Sequence, residues 1–177
     1  MARSWRRRMR RGVMWAIVVL LLSGSTLRSE GPSGPGAMPR VRSSDATITS
    51  AIAVAESRSE TFRSLVRAIE GTDGIVYVER GRCGHHVPAC LTLSIVSGPG
   101  YRLLRVLVDN RFSFVSLMAT IAHELRHALE VLSEPGVRTL TAAYMFYMRE
   151  APTANEAFET AAAIRAGAAV ASELSRR

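Results

Sequence analysis

The chain has 177 residues, with 23 basic side chains against 15 acidic ones and a formal charge of +8; every basic residue is arginine and only four residues are histidine. That length suits one domain with a core of its own, and excludes a large two-lobed enzyme. Six of the arginines fall within residues 1–25, which carry no acid, so the remainder is only +2. A near-neutral remainder gives no electrostatic basis for a nucleic-acid partner.

The N-terminus reads as an export signal. Arg3, Arg6, Arg7, Arg8, Arg10 and Arg11 precede an uninterrupted apolar run from Val13 to Leu22, and Ser23-Gly24-Ser25 offers small residues for cleavage. Ten apolar residues fall short of the roughly twenty that span a bilayer. The expectation is a signal peptide over 1–25, or an anchor if it stays uncleaved, which would be the only membrane contact. The adjacent arginines also permit twin-arginine export. A linker over 26–44 follows, rich in proline and glycine between Glu30 and Pro39, and then one domain over 45–177. The expected location is periplasmic or secreted.

Thr47 to Ile69 reads as one helix or two short ones, with Gly71 as a C-cap. Gly74 to Glu79 is strand-like. Leu91 to Val96 alternates as a second strand, Ser97-Gly98-Pro99-Gly100 is a turn, and Tyr101 to Val108 gives a third strand. Between the first two strands lies Cys83-Gly-His-His-Val-Pro-Ala-Cys90, which holds the chain's two cysteines. In an exported protein these most simply form one disulfide closing a short loop, steadying a hairpin beside the site. A metal knuckle formed with His85 and His86 is the sharper alternative.

The next segment, Phe112 to Leu132, is apolar nearly all round, with Asp109 or Asn110 placed as N-cap. It carries His123-Glu124-Leu125-Arg126-His127. On a helix the two histidines lie one turn apart on one face, so both imidazoles can reach a single Zn²⁺ while Glu124 addresses a water beside it. Core histidines bonded to backbone are the bland alternative. Glu130 shares the histidine face but lies roughly 10 Å along the axis from His123, out of reach of the same ion. It suits orienting a histidine or pairing with an arginine.

A catalytic zinc site wants three protein ligands and one open position. Val137 to Arg149 reads as a short helix, and Pro152-Thr153 opens a last helix to about Ser175, headed by Glu156 and Glu159. Thr153 with Glu156 makes a capping-box pattern, which gives Glu156 a structural task. Glu159 leads a stripe of Ala163, Ala166 and Val170 that would let this helix approach the histidine helix closely, so Glu159 is the favoured third ligand and Glu156 the alternative. Tyr144 and Tyr147 are placed to assist a developing oxyanion, or simply to pack on each other at i and i+3.

With these residues the chain resembles a zincin metallopeptidase of the glutamate-liganded (gluzincin) type. Asn155-Glu156-Ala157-Phe158 is similar to the segment that supplies the third ligand in thermolysin-like and aminopeptidase-type members, which favours Glu156. His123-Glu-Leu-Arg-His-Ala-Leu-Glu130 with Phe158-Glu-Thr-Ala-Ala162 also resembles small exported bacterial proteins, in which Phe158-Glu159-Thr160 is the more characteristic part. No metzincin continuation follows, since Glu130-Val-Leu-Ser133 lacks the glycine and third histidine. The expected fold is α+β: a small, mainly antiparallel three-stranded sheet packed on the buried motif helix, with further helices. The resemblance implies an exported zinc-dependent peptidase acting on a peptide or protein substrate, with Glu124 as general base and a sheet edge binding the substrate backbone. A non-catalytic zinc-binding or interaction module with the same ligands is the alternative.

Overall fold

The computed structural model describes residues 38–84, 87–109, 111–150 and 158–176. The expected export signal, His85, His86, Asn110, Thr153 and Glu156 lie outside the described residues.

Two local signals start the fold. The Asp45 carboxylate accepts from the Thr47 and Ile48 amides and opens α1 (Ala46–Arg58). Ser59 ends that helix and caps α2 (Glu60–Glu70) through a bond from the Phe62 amide. A hydroxyl or carboxylate at the N-cap satisfies amides that the first helical turn leaves without partners. The stretch read as one helix or two is therefore two, broken at a capping serine.

The sheet has four strands: β1 (Val41–Arg42), β2 (Gly74–Arg80), β3 (Ala89–Gly98) and β4 (Tyr101–Val108), in the order β1-β2-β4-β3. β1 falls inside the segment read as linker. β1 runs parallel to β2 and β2 parallel to β4, while only β3 and β4 are antiparallel. The α+β class holds, but the mainly antiparallel three-stranded sheet is corrected to a mixed, mostly parallel one. The reason is the connection from β2 to β3. β3 lies on the far side of β4 instead of pairing with β2, and the described ends of the connection are pinned to the end of β4 by Gly81 N–H to Val108 O and Asp109 N–H to Pro88 O. The Cys83–Cys90 disulfide closes this crossover, so the bridge does not steady a hairpin. β3 and β4 do form the expected hairpin, with Gly100 in the left-handed region (φ 77°) that its tight turn requires.

α3 (Phe114–Leu132) is capped by Ser113, not by Asp109. Asp109 instead pairs with Arg111. α3 lies across the sheet and buries Leu117, Met118, Ile121, Ala122, Leu125, Ala128, Val131 and Leu132. Opposite it stand Val76, Val78, Leu104, Val106 and Val108 from alternating strand positions. Its C-terminus is held by Arg102, only 2% exposed, whose guanidinium donates to the carbonyls of Val131, Leu132, Glu134 and Val137 and to Asp73. The Val131 and Glu134 carbonyls also accept from the Glu134 and Val137 amides, whereas Arg102 is the donor given for those of Leu132 and Val137, and a cation at a helix C-terminus also suits its dipole.

α4 (Leu140–Glu150) starts three residues later than read, and α5 (Ala161–Ser175) starts at a Thr160 cap rather than at Pro152-Thr153. α5 packs on α3 through the small-residue stripe Ala163, Ala166 and Val170, all buried. At its far end Glu173 accepts from Ser59 and Thr61, fixing α5 to the α1–α2 corner. Among the described residues, no helix is long and apolar enough to cross a membrane.

Candidate metal centre

His123, Glu124 and His127 occupy two turns in the second half of α3, the helix buried deepest against the sheet. His127 is 4% exposed and Glu124 6%. The imidazoles of His123 and His127 stand edge to face with centroids 4.9 Å apart. The Glu159 carboxylate reaches them from the residue just before the α5 cap, with its oxygen 3.2 Å from His123 Nε2. One donor atom from each of His123, His127 and Glu159 lies within 4.8 Å of the others, so the three form a group that could hold a metal ion. Bonds of about 2.1 Å in a tetrahedron put donors roughly 3.4 Å apart, so the set closes on an ion with shifts of about 1 Å. Two imidazoles and a carboxylate are also the donor chemistry of catalytic zinc sites. Glu159 reaches this place by a different route from the one its sequence pattern suggests. It stands outside the helix, and the stripe that follows brings the helix start, not a glutamate-bearing face, against α3.

The surrounding hydrogen bonds orient the donors. His127 Nδ1 lies 3.1 Å from a Glu130 oxygen, which leaves Nε2 for an ion. The other Glu130 oxygen accepts from Thr160 Oγ1 at 2.8 Å and from Arg126 Nε at 3.3 Å. Burial pushes the Glu130 carboxyl up, but the bonds from His127 and Thr160 outweigh it and hold it below its ordinary range. Burial presses His123 down, against the opposite pull of the Glu159 carboxylate. Burial prevails, which favours a neutral His123 beside an ionised Glu130, as metal binding to an imidazole requires.

Glu124 is different. Burial drives its carboxyl up to about 7, against the charge of His127 and a backbone bond from Leu91. That bond, from the Leu91 amide at 2.7 Å, ties α3 to β3, the outer strand of the sheet on this side. A register shift between Thr92 and Val96, where β3 takes four steps against two in β4, bends the strand just beyond.

A cavity of about 220 Å³ opens between this strand and the helix. Glu124, His127 and Glu159 are its polar lining, Leu91, Leu93 and Phe158 much of its apolar lining, and Cys83 and Cys90 line it as well. Tyr147 is buried in the wall, its ring stacked on Phe158 at 5.3 Å and its hydroxyl donating to the His127 carbonyl at 2.9 Å. Burial moves its phenol further above its ordinary value. Tyr144 is 45% exposed and meets the edge of Phe158. The disulfide excludes the cysteines as metal ligands and fits an oxidising compartment.

Three contributors escape a reading by motif. Thr160 carries the ordinary cap signal, a threonine before a helical run, but Thr153 seven residues earlier carries it too. Gly167, set against His123, could be suspected only because glycine inside a helix is costly without a packing reason. The Leu91 amide has no side-chain signature at all. In comparisons with known proteins, no family model matches this chain, and neither a curated protein nor a solved structure matches it.

Proposed function

We propose that the protein is an exported zinc metallohydrolase, and specifically a peptidase. The observation that carries this reading is the convergence of Glu124, His127 and Glu159 on one side of a cavity whose other side is an outer β-strand. His123, His127 and Glu159 would hold the zinc, which when bound polarises a carbonyl and makes a water acidic enough to attack at neutral pH. Glu124 takes the proton of the attacking water and returns it to the leaving amine. Its burial keeps bulk water from competing for that proton. The outer edge of β3, ahead of its bend, offers backbone groups to an extended substrate segment as an added strand. The apolar cavity wall of Leu91, Leu93 and Phe158 receives a substrate side chain of matching character. Tyr147 supports the wall and the His127 carbonyl, and Tyr144 extends the apolar rim.

The bond from the Leu91 amide to Glu124 favours a second reading, a non-catalytic zinc module in which that carboxylate only ties helix to strand. One substitution separates the two. Zinc-loaded wild type and Glu124→Gln are incubated with a peptide mixture and the cleavage products identified by mass spectrometry. The peptidase reading predicts zinc-dependent cleavage by the wild type and a loss of about 10²–10⁴-fold in the variant, with zinc retained. Cleavage that persists unchanged in Glu124→Gln would overturn the general-base role, and absence of cleavage in both would favour the module.

A further inference from the structure

Thr160 has two separate hydrogen bonds. Its Oγ1 accepts from the Ala163 amide at 3.1 Å, which caps α5, and donates to Glu130 Oε1 at 2.8 Å. The geometry gives the direction of the second bond: the Thr160 oxygen already accepts from the Ala163 amide, and Glu130 Oε1 is an acceptor that also takes Arg126 Nε at 3.3 Å. A hydroxyl has one proton, and here it goes to Glu130. The other oxygen of the same carboxylate meets His127 Nδ1. The residue before Thr160 is Glu159, whose carboxylate faces His123 Nε2. One short path, Thr160–Glu130–His127, therefore links the donor that comes from the chain ahead of α5 to the donors on α3.

We infer that Thr160 is a positioning residue for the metal centre: by donating to Glu130 it sets the distance of Glu159 from the two histidines, a task separate from capping α5. This inference rests on the metal-site reading above. The geometry makes the coupling specific. Glu159 is 46% exposed at its side chain and has no helix of its own to hold it, so its placement depends on its neighbours in sequence. Phe158 on one side is stacked on Tyr147, and Thr160 on the other is bonded to Glu130. Phe158 reaches only the His127 backbone, through the Tyr147 hydroxyl, whereas Thr160 reaches a carboxylate bonded to a ring nitrogen of His127. Loss of that bond frees both ends: Glu159 drifts outward, and Glu130 can turn from His127 toward Arg126 or solvent.

The test is a double-mutant cycle read as zinc affinity, by competition with a chelator of known strength, on wild type, Thr160→Val, Glu130→Gln and the double variant. Valine keeps the shape of threonine and removes both hydrogen bonds. Thr160→Val is expected to weaken zinc binding by about tenfold to a hundredfold, the usual effect of removing a partner that orients a ligand. In the Glu130→Gln background the same change should cost less than about threefold, because the path is already broken. Thr160→Ser, which keeps both bonds, should bind within about twofold of wild type. The lost α5 cap weakens the fold in both backgrounds alike, so urea unfolding of the metal-free proteins isolates that part. Equal losses of zinc affinity in the two backgrounds, with the wild type binding normally, would overturn the inference and leave Thr160 as a cap alone. A wild type that binds no zinc would remove the site itself, and both readings with it.

Discussion

Gly167 of α5 rests so closely on α3 that a β-carbon there would lie 3.3 Å from His123 Cβ and 3.2 Å from the Ala119 carbonyl oxygen. Neither neighbour can yield by itself, since one is helix backbone and the other the root of a donor side chain. Alanine at 167 gains up to about 1 kcal/mol of helix propensity. That gain is offset by the crowding, so Gly167→Ala should leave the urea midpoint nearly unchanged. Gly167→Val should lose about 1–3 kcal/mol through overpacking and weaken zinc binding by displacing His123. A fully stable Gly167→Val with wild-type zinc affinity would show that the helices can separate without cost to the site.

The Arg102–Asp73 pair predicts both a stability and a pH effect. Arg102 supplies the donors for four carbonyls at the end of α3, and Asp73 is its counter-charge at 2.6 Å. Arg102→Met should cost about 2–4 kcal/mol, because it removes buried charge-assisted bonds, leaves the Leu132 and Val137 carbonyls without their donor and leaves Asp73 with Arg138 alone. The bond from Arg102, joined by Arg138, holds the Asp73 carboxyl below its ordinary value. Its contribution is therefore present above the unfolded value near 3.8 and lost as pH falls through the lower folded value. Urea midpoints between about pH 2 and 7 should fall less steeply with acid in Asp73→Asn than in the wild type, from a lower neutral value. Parallel curves would contradict the assignment.

What could be seen in advance divides along the range of the interactions. The spacing of His123 and His127 is local to one helix, so the pentapeptide suffices to place both imidazoles on one face. The β3–β4 hairpin is equally local, set by Ser97-Gly98-Pro99-Gly100. Sheet order is not. Whether the chain leaving β2 returns to it or goes on to pair with β4 depends on contacts such as Gly81 with Val108, which no pattern in the sequence between the strands expresses. β1 is two residues long, too short for alternation to show, and pairs with β2 through register alone. Arg102 reads as one more surface arginine in an alternating strand until α3 ends over it. Glu159 is marked by the stripe that follows it, whereas the cap signal of Thr160, which starts that helix, is duplicated by Thr153 earlier in the chain.

The disulfide gives a prediction that separates fold from site. Joining Cys83 to Cys90 closes a loop of eight residues, and removing such a link costs about 2–3 kcal/mol on the loop-entropy account. The double variant Cys83→Ala/Cys90→Ala should show that loss in urea unfolding. Zinc affinity should remain near wild type, since neither cysteine is a donor and the three donors sit on α3 and ahead of α5. Substrate cleavage should weaken, because the bridge lines the cavity. Loss of zinc with the bridge would mean that the crossover, and not α3 and α5 alone, holds the centre together.

The most direct test of the central claim is the metal content of the purified full-length protein, measured by mass spectrometry alongside His127→Ala, Glu159→Ala and Glu156→Ala. One zinc per chain is expected in the wild type and in Glu156→Ala, and its loss in the other two. Wild-type protein without zinc, even after the metal is added back, would contradict the metal centre; a site emptied by Glu156→Ala but not by Glu159→Ala would contradict the assigned third ligand.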